Sequence, residues 1–408
     1  MSEPANELSL SDVKVLDLTW VMAGPAATRA LADYGATVVR IESSKRIDTA
    51  RTLVPYISNN VGPENSIRFQ DINAGKLGMT LDLAKEEGRV VVLDLVRWAD
   101  VVVEAFSPKV MRAWGLDYAS LRKVKPEIIM LSTCLMGQTG PMSQFAGFGS
   151  LAAAISGFYD LTGWPDRPPA GPFGAYTDTI APRFTAIAIL AALDERRRTG
   201  KGQYIDQAQG ESALHFLAPA LLDYVANGRV QHRVGNEDAN MTPHGVYASA
   251  GDDQWVAIAV ADDAQWRALC ETMDRPELSD DAKFSSAGTR RAHREELDEI
   301  VSMWTREREA SEIESALQSR GVPSSAVQNS GALYADPQLA HRGQFVQVEH
   351  PLHGPTVIEG SHFHLSRTPA RVERAAPMLG EHNQLVLEEI LGYDEERVAE
   401  LVAAGVLE

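Results

Sequence analysis

Runs rich in β-branched residues alternate with amphipathic stretches through the first third of the chain, and this alternation restricts the fold more than any other feature. The runs are VKVLDLT (Val13–Thr19), ATVVRIE (Ala36–Glu42), GMTLDL (Gly78–Leu83), ADVVVEAF (Ala99–Phe106) and EIIMLSTC (Glu127–Cys134). Short, mostly apolar runs of this kind are strands buried on both faces, which occur in parallel sheets covered by helices on either side. The intervening segments, such as Pro25–Tyr34 and Glu86–Trp98, supply those helices. The expected fold class is therefore α/β, with a Rossmann-like large domain built on a doubly wound parallel sheet.

Further along, the pattern from Phe148 to Phe216 turns helical, interrupted by GWPDRPPAGPFGAYTD, where glycine and proline allow no regular element. Arg183–Arg198 predicts a buried helix ended by TGKG, with Gly200 and Gly202 suited to a left-handed cap. VYASA and WVAIAVA flank GDDQ and predict a hairpin, followed by helices over Asp263–Met273, Thr289–Arg306 and Glu312–Arg320. A chain of 408 residues is too long for one ordinary core. The expected division is 1–225 for the first part of the large domain, 240–330 for a smaller α+β domain, and 331–408 for a return segment completing the large domain.

Charge and composition narrow the class. Asp plus Glu number 56 against 38 Lys plus Arg, a net charge of −18, which repels nucleic acid and anionic lipid. Neither nucleic acid nor membrane is expected as a partner. The start, MSEPANELSL, lacks a basic and apolar leader pattern, and a cytoplasmic protein is expected. Cys134 and Cys270 are too few for a thiolate metal cluster, and both are expected to be reduced and buried. His350, His353, His362 and His364 lie close in sequence but show no helical ligand spacing, so no metal is expected.

Two segments carry candidate chemistry. In MAGPAATRALADYG the first strand runs into Gly24 and then Pro25 at a helical first position, leaving backbone N–H groups at the carboxyl edge of the sheet. An ordinary strand-to-helix turn has the same form. In FGAYTDTIAP, Asp178 precedes a long apolar helix containing Pro182, where helix N–H groups favour an ionised carboxylate with a free electron pair. Asp178, Thr177 or Thr179 would equally serve as a helix cap. Local sequence does not separate a cap from a nucleophile. GFGSLA (Gly147–Ala152) matches a dinucleotide fingerprint in form, but it follows a loop and no acidic strand end lies about 20 residues on. Dehydrogenase chemistry is not expected.

Several segments together resemble the class III CoA-transferases, the family of formyl-CoA transferase, carnitine CoA-transferase and α-methylacyl-CoA racemase. They are VKVLDLTWVMAGPAATRALADYGATVVRIE, ADVVVEAFSPKVMRAWGLDYASL, GQTGP, AILAALDERRRTGKGQYIDQAQGESAL, GNEDANMTPHGVY, HLSRTP and APMLGEHNQLVLEEILGY. The similarity runs nearly end to end in the family's order and spacing. The family's nucleophilic aspartate sits one loop ahead of the helix carrying the ALAAL-like run and the TGKGQ turn. The resemblance therefore implies that Asp178 attacks a thioester to form an aspartyl anhydride and then an aspartyl–CoA thioester. No cofactor is bound permanently; a coenzyme A thioester is the substrate and a carboxylic acid the acceptor, with succinyl-CoA an expected donor by analogy.

Carried over position by position, the resemblance implies Met22, Ala23 and Gly24 as oxyanion or thioester-binding residues, and Asn73, Lys76, Phe106, Ser107 and Arg112 as CoA-binding residues. Lys45, Arg46, Arg51 and Lys109 add basic charge on the same loops. His244 and Phe148 are candidates for the acyl pocket, although His244 is as readily an ordinary loop histidine. The family's homodimer of interlocked rings is also implied. Departures exist: SPKVMRAWG places Lys109 where the family often has glycine, Met22 replaces a glutamine of formyl-CoA transferase, and GNEDANMTP lacks that enzyme's glycine-rich loop. Small oxalate-like substrates are disfavoured. Phe148 stands where the racemases carry a histidine base, and a phenyl ring cannot move a proton. A racemase-like enzyme and a non-catalytic CoA-binding subunit of a hetero-oligomer are the alternatives.

Overall fold

A computed structural model describes residues 8–408. The chain divides into two compact units, one reaching to Asp160 and including Ala170–Gln231 and Ala340–Glu408, the other made of Leu161–Pro169 and His232–Leu339. The short segment Leu161–Pro169 thus joins the second unit, whereas the sequence reading left it within the large domain.

The first unit is built on a parallel sheet of β1 (Lys14–Leu18), β2 (Thr37–Glu42), β3 (Leu77–Thr80), β4 (Val101–Glu104), β5 (Ile129–Cys134) and β6 (Tyr204–Ala208). Its spatial order is β3-β2-β1-β4-β5-β6. The sixth strand was not expected, because YIDQA is polar and half-exposed at the sheet edge. Helices α1 (Ala23–Ala32), α2 (Ile67–Asn73), α3 (Glu86–Trp98), α4 (Pro108–Ala113) and α5 (Tyr118–Val124) fall between the first five strands. After β5 come α6 (Gly149–Ile155), α7 (Phe158–Leu161) and α8 (Tyr176–Thr199), and after β6 come α9 (Gln209–Leu214) and α10 (Ala218–Asn227).

The strands are apolar on both faces because each face has its own core. Leu16, Val39, Met79, Val102 and Met130 pack with Val91, Val92, Leu95 and Val96 of α3 and with Val386 and Leu401 from the end of the chain. Val15, Val38, Val101, Val103, Ile129 and Leu131 face the other way, onto Leu31 of α1 and Ile189 and Leu193 of α8. Each of these aliphatic side chains contributes about 1.5–3 kcal/mol by leaving water. The return segment adds an antiparallel pair, Phe345–His350 with Gly354–Glu359, and a last helix, Glu395–Ala403.

The second unit has an antiparallel sheet, β7 (His244–Ala248), β8 (Trp255–Ala259) and β9 (Ser324–Ala326), over a core that includes Trp266, Leu269, Phe284, Leu297, Val301 and Leu317. The helix expected over Thr289–Arg306 is two helices, Ala287–Ala292 and Arg294–Thr305, separated at His293, whose φ of −117° and ψ of 27° are not helical.

Candidate active site

Neighbours β1 and β4 lie at the point where the strand order reverses, so the crossovers leave them in opposite directions and open a crevice at their carboxyl ends. A cavity of about 200 Å³ occupies that position. Trp20–Gly24 after β1, Ala105–Pro108 after β4, Thr133–Leu135 at the end of β5 and Gln209 after β6 form part of its wall. The loop Phe145–Gly149 and Asp178 complete the side facing them. Asp178 is the one charged residue in this lining.

Helix α8 starts at Tyr176, earlier than the sequence reading placed it, and continues through Pro182. Its cap position is Ala175, which has no side-chain group to offer, so Asp178 lies in the first turn and does not cap the helix. The carboxyl is 7% exposed. Burial pushes its pKa up to about 6, while a hydrogen bond from the Gly149 backbone and the positive charge of Arg68 pull it back. The helix start predicts a carboxylate ionised at neutral pH, and desolvation raises its pKa without removing that charge. A group with a pKa of 6 is still about nine-tenths ionised at pH 7.

Gly149 and Pro182 shape the backbone around the carboxylate. Gly149 comes so close that a Cβ there would lie 2.6 Å from Asp178 Cγ, and the Thr177 hydroxyl donates to Gly149 O at 2.9 Å, clamping α6 to α8. Pro182 has no N–H for the Asp178 carbonyl four residues back, so that turn of the helix is less tightly tied.

Opposite Asp178, the β1–α1 turn contains Val21 at φ 68°, a left-handed conformation costly for a β-branched residue. Val21 N–H donates to Asp48 Oδ1 at 3.0 Å, and Asp48 Oδ2 is held in turn by the buried guanidinium of Arg40. Arg40 also donates to Thr19 O at 2.6 Å. Beyond this turn, the N–H groups of Met22, Ala23 and Gly24 have no acceptor among the described residues and stand at the start of α1. These three residues line the cavity as the sequence reading placed them.

Asn73 and Lys76, two of the positions implied for CoA binding, lie apart from the cavity wall, and both are fully buried behind the same turn. Lys76 Nζ donates to Asp17 Oδ2, Pro25 O and Asn73 Oδ1 at 3.0, 2.8 and 2.8 Å, and burial pushes its pKa down to about 8. Asn73 Nδ2 donates to Phe69 O. Arg51, also read as a loop cation, is buried against Glu42 and Glu64. Lys45 is exposed and paired with Asp82 and Glu408.

Phe106 and Ser107 do line the cavity, with the Phe106 ring edge-on to Trp20 and Trp114. Phe106 N–H donates to Glu104 Oε2 at 2.8 Å, which fixes the turn after β4, and burial pushes the Glu104 carboxyl up to about 7. Arg112 and Lys109 project from α4 as exposed residues outside the lining. Arg46 lies over the Trp20 ring, 5.7 Å from its centroid. Phe148 lines the cavity and is 58% exposed. His244 belongs to the second unit, where Nδ1 meets Asn236 O at 2.5 Å. Cys134 is half-exposed in the lining, not buried as expected. Burial pushes its thiol up to about 11, which leaves almost no thiolate at neutral pH.

Trp20, Gly149, Gln209 and Arg68 were missed by sequence reasoning. Gln209 opens α9 directly after β6, so recognising the sixth strand would have found it. Arg68 has no comparable local signal: in SIRFQDIN it looks like any helix-surface arginine.

Fold and cavity together define an α/β enzyme with a small-molecule site at the switch point of its sheet. The chain belongs to CoA-transferase family III, whose family profile matches residues 10–383. It is 32% identical over 407 residues to the succinyl-CoA–D-citramalate CoA-transferase of Chloroflexus aurantiacus, covering 100% of each chain. It is 35% identical over 391 residues to the succinate–glutarate CoA-transferase of Agrobacterium fabrum, covering 95% of this chain and 97% of that one. Among solved structures, a CaiB/BaiF family protein from Brucella suis superposes with a TM-score of 0.87 at 32% identity, covering 94% of this chain and 100% of that chain. The class III CoA-transferase read from the sequence stands. Among the described residues, no helix is long and apolar enough to cross a membrane.

Proposed function

We propose that the enzyme moves CoA from an acyl-CoA donor, succinyl-CoA first among them, to a dicarboxylic acid, with Asp178 as the covalent carrier. The observation that carries this reading is a single buried, incompletely neutralised carboxylate in an otherwise uncharged cavity at the switch point of the sheet. An Asp178 oxygen attacks the thioester carbonyl, the C–S bond breaks, and CoA leaves as thiolate from an aspartyl–acyl anhydride. The thiolate then attacks Asp178 Cγ, releasing the donor acid and leaving an aspartyl–CoA thioester. The acceptor carboxylate attacks Cγ in turn, forming a second anhydride and thiolate, and attack of that thiolate on the acceptor's acyl carbon regenerates the Asp178 carboxylate. Every step exchanges one activated acyl group for another, so no external energy source is needed.

The surroundings support this sequence. Free N–H groups of Met22, Ala23 and Gly24 at the start of α1 are suited to the oxyanion of each tetrahedral intermediate. Apolar walls keep water from hydrolysing the anhydrides. Arg46, Lys109 and Arg112 are exposed cations available to CoA phosphates. The relatives named for citramalate and glutarate both take acids with a second carboxylate, which supports the dicarboxylate class. Racemisation needs two bases, and the cavity lining holds no histidine and a Cys134 thiol with a pKa of about 11.

A homodimer and a cytoplasmic setting complete the proposal. Helix α10 buries none of its residues, and it exposes Leu221, Leu222, Tyr224 and Val225, the last at 79%. A helix this apolar on the surface of a chain is suited to a partner subunit. Incubation with succinyl-CoA and a panel of acids, followed by mass spectrometry, tests the function. CoA exchange with a labile Asp178–CoA adduct is expected, and exchange that persists in Asp178→Ala would overturn the assignment.

A further inference from the structure

The chemistry just proposed brings several negative charges into a cavity without a positive one. Asp178 is itself an anion, the acceptor arrives as a carboxylate, and a dicarboxylic acid keeps a second charge throughout the reaction. No Lys, Arg or His is part of the lining. In so apolar a setting an unpaired carboxylate is expensive, so a dicarboxylate needs a cation within reach of its far end.

Arg68 is the cation the fold provides. It lies on α2, half-buried, and its Nη1 meets Met22 Sδ at 3.0 Å; Met22 is a wall residue of the cavity. It is also the one positive charge whose field acts on the Asp178 carboxyl. The neighbouring arginines are already committed to carboxylates: Arg29 to Asp33 and Asp71, Arg40 to Glu42 and Asp48, and Arg51 to Glu42 and Glu64. Arg68 has no carboxylate partner among the described residues. A guanidinium carries five N–H donors in a planar fork made for carboxylates, and a thioether is a weak acceptor that occupies one of them. The site therefore holds an under-used bidentate donor behind a flexible methionine of the cavity wall, near enough for its charge to act on the nucleophile.

We propose that Arg68 selects dicarboxylic acyl groups, its guanidinium taking the carboxylate remote from the reacting one as the Met22 thioether moves aside. This rests on the CoA-transfer reading above and adds to it the residue that sets the substrate class. Binding through the far carboxylate also orients the near one toward Asp178, so the contact serves position as well as affinity.

The test compares wild-type enzyme with Arg68→Met and Arg68→Lys at saturating succinyl-CoA, so that kcat/KM for the acceptor reads the acceptor half-reaction alone, with two acceptors of equal chain length, glutarate and pentanoate. Wild-type enzyme is expected to prefer glutarate. In Arg68→Met, kcat/KM for glutarate is expected to fall about 10- to 100-fold, mostly through KM, while pentanoate changes by less than about threefold. Arg68→Lys, which keeps the charge and loses the fork, is expected to fall between the two. Equal loss with both acids, or no loss with glutarate, overturns the role of Arg68 while leaving CoA transfer intact. Absence of exchange in wild-type enzyme with every acid overturns the transfer reading itself. Melting temperatures within a few degrees across the three proteins show that folding is not what the substitutions change.

Discussion

Asp17 and Asp178 lie on opposite sides of the same β1–α1 turn, and both are buried, yet their surroundings push them in opposite directions. At Asp17 burial alone would raise the pKa, but Lys76, Arg40 and the hydroxyls of Thr19 and Thr28 more than reverse it, and the carboxyl sits below the usual range. At Asp178 burial prevails, because one backbone N–H and the more distant Arg68 do not offset it. The first aspartate belongs to a closed network with Arg40, Asp48 and Lys76, all inaccessible to solvent. The second is left with an unused electron pair facing a cavity. A buried charge with a full set of partners holds the fold; a buried charge without one is available for chemistry.

Four substitutions and one titration sharpen or break that contrast. Asp178→Ala is expected to reduce CoA exchange by a factor on the order of 10⁴ or more while the protein still folds, since loss of a covalent nucleophile removes the pathway itself. Initial rates and circular dichroism on the same sample check it. Arg40→Met should do the reverse: leaving the buried Asp48 Oδ2 without its cation and weakening the hold on Asp17 costs about 3–5 kcal/mol of stability, read as a lower urea midpoint. If Arg40→Met were as stable as wild type, the network would not be structural. Gly149→Ala places a methyl 2.6 Å from the Asp178 carboxyl carbon and should cost about 100-fold in kcat by displacing the carboxylate.

The pH dependence carries a definite sign. Because the folded-state pKa of Asp178 is raised to about 6 from 3.8, the folded protein binds this proton more tightly than the unfolded chain. The ionised group therefore costs stability above pH 6, up to about 3 kcal/mol, and the cost fades as pH falls from 6 to 4. Asp178→Asn should accordingly be more stable than wild type at pH 7.5 and no more stable at pH 4, measured by denaturant unfolding at both. The smallest effect is on rate: kcat/KM should rise roughly tenfold between pH 5 and 7, about half of that rise in ionised fraction coming by pH 6, then level off above pH 7 as the carboxylate becomes fully ionised. A profile flat down to pH 4.5 would mean that Asp178 is better solvated than its surroundings imply.

Much of this was legible in the sequence where a residue's surroundings follow from its own segment. The buried strands of the first unit announce themselves by β-branched runs, and α3 occupies the predicted Glu86–Trp98. Asp178 could be found only by combining helix-start chemistry with family spacing. What stayed hidden depends on contacts between distant segments. Lys76 and Arg51 look like surface cations until Asp17, Glu42 and Glu64 are brought around them. Strand β6 lacks an apolar pattern because an edge strand is covered on fewer sides. Pro182 lies inside α8 as the sequence predicts, but the first turn, Tyr176–Thr179, reads as the end of the Gly- and Pro-rich loop because no capping side chain marks the start at Ala175.

Val21 has a consequence for how this protein would evolve under selection for heat resistance. Its left-handed backbone costs about 1–3 kcal/mol, and a glycine there would recover much of that without touching either core. A thermal screen should therefore favour Val21→Gly early. The same change would let the turn wander, and with it the Met22–Gly24 amides, so the variants that survive heating best would be the slower catalysts. Position 21 is where durability and turnover compete.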